Sequence, residues 1–271
     1  FVPIAWPEYV ALHARVLQVS DPFALSDRRQ IPTDLQFHEH HPEVAAAALQ
    51  AGVISAGTTV FSSGGIRVGQ WFFPDWKAGG HGATNVIKAI AESVNTFFYM
   101  IGGGHDTFQG LGIDRLAGYL TGFGFGKPTG IEIPGEAKGL VPTVQWKEAR
   151  SDEPWYIGDT YHLAIGQGDF LVTPLQIARM TAYFASGGKW VTPHLALPPL
   201  PPSPRAGEEK LFLPLNKGEL EGVLGGPNID SAHIQTIRQG MRATVTQGSA
   251  RSLQVLPVTM AGKTGTAQWS S

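Results

Sequence analysis

The sequence predicts a mixed α/β (α+β) fold. Apolar residues recur at spacings of three and four over several long stretches, short β-branched and aromatic runs bounded by glycine lie between them, and no internal repeat is visible. In chain order, Pro42 followed by Glu43-Val44-Ala45-Ala46-Ala47-Ala48-Leu49-Gln50 reads as a helix stopped by Gly52. Residues 58–76 read as short strands, Thr58-Thr59-Val60-Phe61 and Trp71-Phe72-Phe73, around a Ser62-Ser63-Gly64-Gly65 turn. A stronger helix starts near Thr84, with Val86, Ile90, Val94, Phe97 and Ile101 on one face. Leu116 to Leu120 forms a short helix ended by the glycines of 122–126. Thr173-Pro174 opens another that closes at Gly187-Gly188, and Asp230 or Ser231 caps a last one through Ile234, Ile237, Met241 and Val245. Leu197 to Pro204 is polyproline-like and begins a low-complexity stretch, read as an exposed insertion at about 197–228.

Composition excludes several functions. With 271 residues, 42% of them hydrophobic, the chain can bury a real core. Charged residues make up 15% and the formal net charge is −2, so there is no basic field for nucleic acid and no acidic tail. The absence of cysteine removes disulfides and thiolate metal sites. The longest nearly apolar run, Val44 to Ile54, is too short to span a bilayer. A chain that opens on Phe1 reads as part of something longer.

Two motifs carry chemistry. Lys263-Thr264-Gly265-Thr266 reads as a strand edge on which an extended peptide can pair, the lysine ammonium and threonine hydroxyls holding its anionic groups; an ordinary edge strand is the plainer reading. In Ser93-Val94-Asn95, residues two apart on an unbroken helix point about 200° apart, so the helix must break if both side chains are to face one cleft. Ser93 then suits proton relay and the Asn95 amide suits a substrate carbonyl. The plainer reading has Ser93 capping a second helix that starts at Val94.

In combination these residues resemble a known family. Ser93-x-Asn95 with Lys263-Thr264-Gly265 is two thirds of the Ser-x-x-Lys, Ser-x-Asn, Lys-Thr-Gly set of penicillin-binding proteins and serine β-lactamases. The segments Trp76-Lys77-Ala78-Gly79-Gly80-His81-Gly82, Thr129-Gly130-Ile131-Glu132-Ile133-Pro134-Gly135-Glu136, Ile165-Gly166-Gln167-Gly168 and Val172-Thr173-Pro174-Leu175-Gln176 are similar to the transpeptidase domain of class B penicillin-binding proteins of the cell-elongation type. The resemblance implies a mostly antiparallel sheet flanked by helices, beside an all-helical subdomain carrying Ser93 and Asn95. It places a transpeptidase-like domain over residues 44–271, after an atypical segment 1–43. It implies a peptidoglycan D,D-transpeptidase that cross-links stem peptides in cell-wall elongation, is acylated by β-lactams and needs no cofactor or metal. Cell-elongation membrane proteins are the implied partners, and the outer face of the cell membrane the implied location. Lys263 would serve the Ser93 proton path, Thr264 and Thr266 would meet a terminal carboxylate, and the Thr266 N–H would form half of an oxyanion hole.

The nucleophile departs from this pattern. The family places Ser-x-x-Lys just before Pro42, where this chain has His38-Glu39-His40-His41, so His38 takes the serine position and His41 the lysine position. The first lysine is Lys77, and the one Ser-x-x-Lys spacing, Ser186 to Lys189, falls in a glycine turn. The expectation is an impaired enzyme, with a non-catalytic binding or scaffold module as the alternative and a β-lactamase or β-lactam sensor as a weaker one. Foreign or frame-shifted sequence over 1–43 and a repurposed histidine site, with one imidazole as base or metal ligand, are the other readings of that segment. Family domains also continue past the Lys-Thr-Gly strand, so the sheet is expected to be incomplete at Ser271.

Overall fold

The computed structural model describes residues 36–38, 40–132, 134–195 and 226–268. The elements run β1 (Gln36–His38), α1 (His41–Gln50), β2 (Thr59–Ser62), β3 (Gly65–Val68), β4 (Trp71–Pro74), β5 (Gly82–Asn85), α2 (Val86–Glu92), α3 (Asn95–Gly103), α4 (Ile113–Gly122), α5 (Val144–Glu148), α6 (Ile157–Ala164), α7 (Pro174–Ala185), α8 (Ser231–Thr246) and β6 (Thr266–Gln268). Most of the expected proline-rich insertion and most of the atypical N-terminal segment lie outside the described residues.

Helix α1 is the centre of the core. Pro42 in its first turn presets the backbone, and every residue from His41 to Leu49 is buried. A helix with no polar face must be surrounded, and α2, α3, α4 and α8 pack against it. Phe97 and Phe98 of α3, Ile90 of α2 and Ile237 of α8 are all fully buried around it. Each such side chain contributes on the order of 1.5–3 kcal/mol by leaving water. Helices α2 and α8 approach closely because of a glycine: a Cβ at Gly240 would stand 2.8 Å from the Ile90 side chain.

The predicted break between α2 and α3 is present. Asn85 caps α2 by accepting the Lys88 N–H at 3.0 Å. The helix stops at Glu92, Ser93 takes a left-handed conformation with φ 60°, and α3 begins at Asn95. The plainer reading of Ser93 as a cap for α3 is corrected: Ser93 terminates α2, and Val94 precedes α3 with no side-chain cap of its own. The cap comes from 20 residues upstream, where the buried Asp75 carboxylate accepts the N–H groups of Asn95 at 3.3 Å and Thr96 at 3.1 Å. It also accepts the Thr96 hydroxyl at 2.7 Å and the Ser62 hydroxyl at 3.2 Å. A carboxylate at a helix N-terminus is favoured by the unpaired N–H groups and by the dipole.

The strands form three antiparallel pairs, β1 with β6, β2 with β5 and β3 with β4. Antiparallel pairing is as expected, but among the described residues the pairs do not join into one sheet. The predicted Lys-Thr-Gly strand is also shorter than read. Residues 263–265 are irregular and the ladder begins at Thr266, because the partner segment 36–38 reaches only residues 266–268, with His38 opposite Thr266. Helices α5 and α6 have no counterpart in the sequence reading, and α4 is longer than the Leu116–Leu120 stretch. Helix α7 starts with the Thr173 cap as read and ends where Ser186 Oγ accepts the Lys189 N–H at 3.1 Å, which gives the lone Ser-x-x-Lys spacing a turn-closing role. Gln176 of α7 donates to the carbonyls of Lys127 and Lys138 at 2.8 and 2.9 Å. Glu136 accepts the Thr129 and Gly130 N–H groups at 2.7 and 3.1 Å, so the Thr129–Glu136 motif is a fastened loop.

Candidate active site

Ser93 is held from three directions. Its carbonyl accepts the Trp76 indole N–H at 2.9 Å, and the same N–H meets the Glu92 carbonyl at 3.0 Å. Its hydroxyl accepts a hydrogen bond from the Lys263 ammonium at 2.9 Å, across 170 residues of chain, and lies 3.5 Å from His41 Nδ1. A non-glycine residue in the left-handed region costs on the order of 1 kcal/mol or more, so these contacts offset real strain. The turn lifts Ser93 out of the α2 face and lets α3 restart with Asn95 in a new direction.

Lys263 is carried to Ser93 by the end of α8. The Gly262 N–H donates to the Met241 carbonyl at 3.0 Å, docking the chain on α8 just before the lysine. The Lys263 ammonium also donates to the Thr264 carbonyl at 2.9 Å. The Thr264 hydroxyl shares a 2.7 Å hydrogen bond with the Ser249 hydroxyl, and the Ser249 N–H donates to the Ala91 carbonyl at 3.0 Å. Ser249 therefore links the Lys-Thr-Gly segment to the last turn of α2. Gly248 makes this approach possible, since a Cβ there would stand 2.0 Å from the Ala91 carbonyl oxygen.

The structure places the remaining predicted residues as follows. Asn95 lines a cavity of about 460 Å³ together with Trp71, Phe72, Phe73, Asp75, Trp76, Tyr99, His162 and Gln167. Gly265 is exposed, and Thr266 begins β6 opposite His38. The side chains of His38 and Thr266 lie outside the described residues. A larger cavity of about 620 Å³ between α7 and α8 is lined by Ala178, Ala182, Ala185 and Met241 and contains none of Ser93, Asn95 or Lys263. Its size alone assigns no chemistry.

The histidines next to Pro42 go to separate partners. His40 packs edge-on against Phe125 and Phe170, with centroids 5.1 and 4.5 Å away, and its Nδ1 meets Glu43 at 3.2 Å. His41 stacks flat on Phe98 at 3.7 Å and faces Ser93. Among the described residues no group of three histidine or carboxylate side chains is arranged to hold a metal ion. Burial, followed by the charge of Lys263 and then His40, holds the His41 pKa well below the ordinary imidazole value, so His41 is neutral here.

That shift has a stability consequence with a definite sign. The unfolded chain takes up a proton on His41 near pH 6.5 and the folded chain does not, so the contribution is complete above about pH 6.5 and is lost as pH falls towards the lower folded value. His41→Phe, which keeps a ring against Phe98, is expected to flatten the dependence of the urea midpoint on pH between about 6.5 and 5. Parallel midpoint profiles for the two proteins would show that His41 does not contribute this slope.

Sequence reasoning did not find His41 as a neighbour of Ser93, the Trp76 N–H, the Asp75 cap or Ser249. Trp76 and His81 lie inside the Trp76–Gly82 motif, and burial supplies the rest: Asp75 and His81 are 8% and 7% exposed, low values for polar residues on a loop. His81 Nδ1 meets Glu92 at 2.7 Å and its Nε2 faces Asp75 at 3.5 Å.

A Ser-x-Asn helix break whose serine hydroxyl meets the lysine of a Lys-Thr-Gly segment, on an α/β fold, is the pattern of the class that holds penicillin-binding proteins and serine β-lactamases. Residues 42–271 match the family model described as penicillin binding protein transpeptidase domain, and the chain belongs to that family. It is of the penicillin-binding protein two, or MrdA, type. Peptidoglycan D,D-transpeptidase MrdA of Haemophilus influenzae is 36% identical over 237 residues, which cover 84% of this chain and 33% of that protein. The crystal structure of Pseudomonas aeruginosa PBP2 in complex with WCK 5153 is 33% identical with a TM-score of 0.69, covering 86% of this chain and 50% of that one. PBP2 in its complex with MreC from Helicobacter pylori is 34% identical with a TM-score of 0.67, covering 87% and 40%. The chain thus spans about a third of the curated relative and half or less of the solved chains.

Proposed function

We propose that this chain is the peptidoglycan D,D-transpeptidase domain of a cell-elongation penicillin-binding protein, and that it is impaired as it stands. The observation that carries the reading is the 2.9 Å contact between Lys263 and Ser93, which joins the two motif groups through space. Ser93 and Lys263 form the proton path, the Asn95 amide takes a carbonyl of the peptide, and Thr264, Gly265 and Thr266 take its terminal carboxylate. The impairment follows from His38 and His41. A neutral imidazole at 3.5 Å replaces the ammonium-bearing side chain the family pattern has at position 41, and position 38 offers no hydroxyl.

The substrates are peptidoglycan stem peptides, β-lactams bind as their mimics, and elongation membrane proteins are the partners, which agrees with the MreC complex of the Helicobacter pylori relative. The site of action is the outer face of the cell membrane. No helix among the described residues is long and apolar enough to cross a membrane. The second reading, a non-catalytic binding module, is favoured by the burial of His41 against Phe98, which fills the position of the base with a stable stack.

Fluorescent penicillin followed by denaturing electrophoresis tests the impairment. The expected outcome is no covalent band, with reversible binding of the same compound detected by polarisation. A stoichiometric band within minutes would show an intact nucleophile and reject the impaired reading.

A further inference from the structure

The cavity between α7 and α8 takes no part in acyl transfer, yet it is built in two chemically distinct parts. Its volume of about 620 Å³ falls in the range that holds one small organic molecule. The inner part is apolar. Ala178 and Ala182 stand one turn apart on α7 and are too short to fill the space in front of them, while Ile87, Met241 and Met260 supply the facing walls. A hydrocarbon chain placed there leaves water, and the two methionines can adjust to its shape.

The outer part is cationic. Arg238 and Arg242 line the same cavity and are four residues apart on α8, so their guanidinium groups are neighbours on one helix face. Arg242 donates to the Met260 carbonyl, which leaves its charge uncompensated. Arg238 is exposed and has no hydrogen bond or ion pair among the described residues. Like charges at this spacing repel, and nothing nearby relieves them: α7, α8 and residues 259–261 contain no aspartate or glutamate. This local excess of positive charge stands in a chain whose formal net charge is −2. A guanidinium fork matches a carboxylate in shape as well as in charge.

We propose that this cavity binds a free single-chain alkyl carboxylate, its chain against Ala178 and Ala182 and its head group on Arg238, with Arg242 adding to the field. A free chain fits better than a lipid held in a bilayer, because a bilayer lipid offers a protein surface its head group alone and would leave the apolar part unused. The inference does not rest on the transpeptidase reading. The site does touch the segment that carries Lys263, since residues 259–261 form one wall and the Gly262 N–H donates to the Met241 carbonyl at 3.0 Å.

The test is a calorimetric titration of the whole chain with decanoate and with 1-decanol, both below micelle formation, alongside NMR of methyl-labelled methionine. Decanoate is expected to bind about tenfold more tightly than decanol, the gain of a charge-assisted hydrogen bond. The methyl signals of Met241 and Met260 are expected to move and that of Met100, which is not in the cavity wall, to stay. Arg238→Gln is expected to remove most of the preference for decanoate while leaving decanol binding and, because the side chain is exposed, the thermal midpoint unchanged. Ala182→Leu, which fills the apolar part, is expected to weaken both ligands. No binding of decanoate, equal affinity for decanoate and decanol, or an unchanged preference in Arg238→Gln would overturn the proposal. Co-sedimentation with phosphatidylglycerol vesicles that is lost in Arg238→Gln, without binding of free decanoate, would also overturn it and assign the arginines to a lipid surface.

Discussion

The double variant His38→Ser/His41→Lys is expected to acquire covalent labelling by fluorescent penicillin at a rate at least about 10³-fold above the parent. Groups that act as one unit are strongly non-additive, and losing a nucleophile or its base removes several orders of magnitude of rate. The geometry supports restoring both at once. His41 occupies the first turn of α1 with its ring 3.5 Å from the Ser93 hydroxyl, and position 38 stands opposite Thr266 in the β1–β6 pair. A lysine at 41 would reach the hydroxyl that Lys263 already orients, and a serine at 38 would start beside the backbone whose N–H groups are proposed to stabilise the oxyanion. Each single variant is expected to gain little, because a hydroxyl without a base and a base without a hydroxyl both remain inert. Labelling of the double variant no faster than that of the parent would show that residues 38 and 41 are not where the nucleophile and base belong.

The largest stability loss is expected for Asp75→Ala, at about 3–5 kcal/mol, read from urea midpoints. This carboxylate accepts from the Asn95 and Thr96 N–H groups, the Thr96 and Ser62 hydroxyls and the Trp76 N–H at 3.0 Å. Removing it leaves several buried donors unpaired at the start of α3, and hydrogen bonds to a charged acceptor are among the stronger ones. Such a loss is a large share of the roughly 5–15 kcal/mol that holds a domain together. Asp75→Asn, similar in shape but turning one acceptor into a donor, is expected to fall between. A midpoint change in Asp75→Ala equivalent to less than about 1 kcal/mol would mean that water or a rearranged Ser62 takes over the role of the carboxylate.

Local patterns in the chain made much of this legible. The α1, α7 and α8 helices follow from Pro42, Thr173-Pro174 and Asp230, because caps and fixed φ values act within one turn. The break at Ser93 was legible for a geometric reason, since two side chains 200° apart cannot serve one cleft. Helix α6 was not, because its buried face is Thr160, Tyr161, Leu163 and Ala164, too short and too mixed to show a period, and it is settled by packing on α3. Asp75 as the cap of α3 was illegible because capping arguments look one turn back and this one comes from a loop 20 residues upstream. The extent of the Lys-Thr-Gly strand is not legible because strand character depends on which partner lies alongside, and among the described residues only 36–38 do so. In the site, the motifs single out Ser93 and Lys263, which lie 2.9 Å apart, whereas the contact of His41 depends on its stack with Phe98, which no spacing encodes.

Ser249 touches Ala91 with its amide and Thr264 with its hydroxyl, so a single residue keeps the ends of two distant chain segments in register. With Gly262 also tied to Met241, the stretch from Ser249 to Gly262 is clamped at both ends, so the ammonium is held beside the serine by its anchors and not by the length of chain between them.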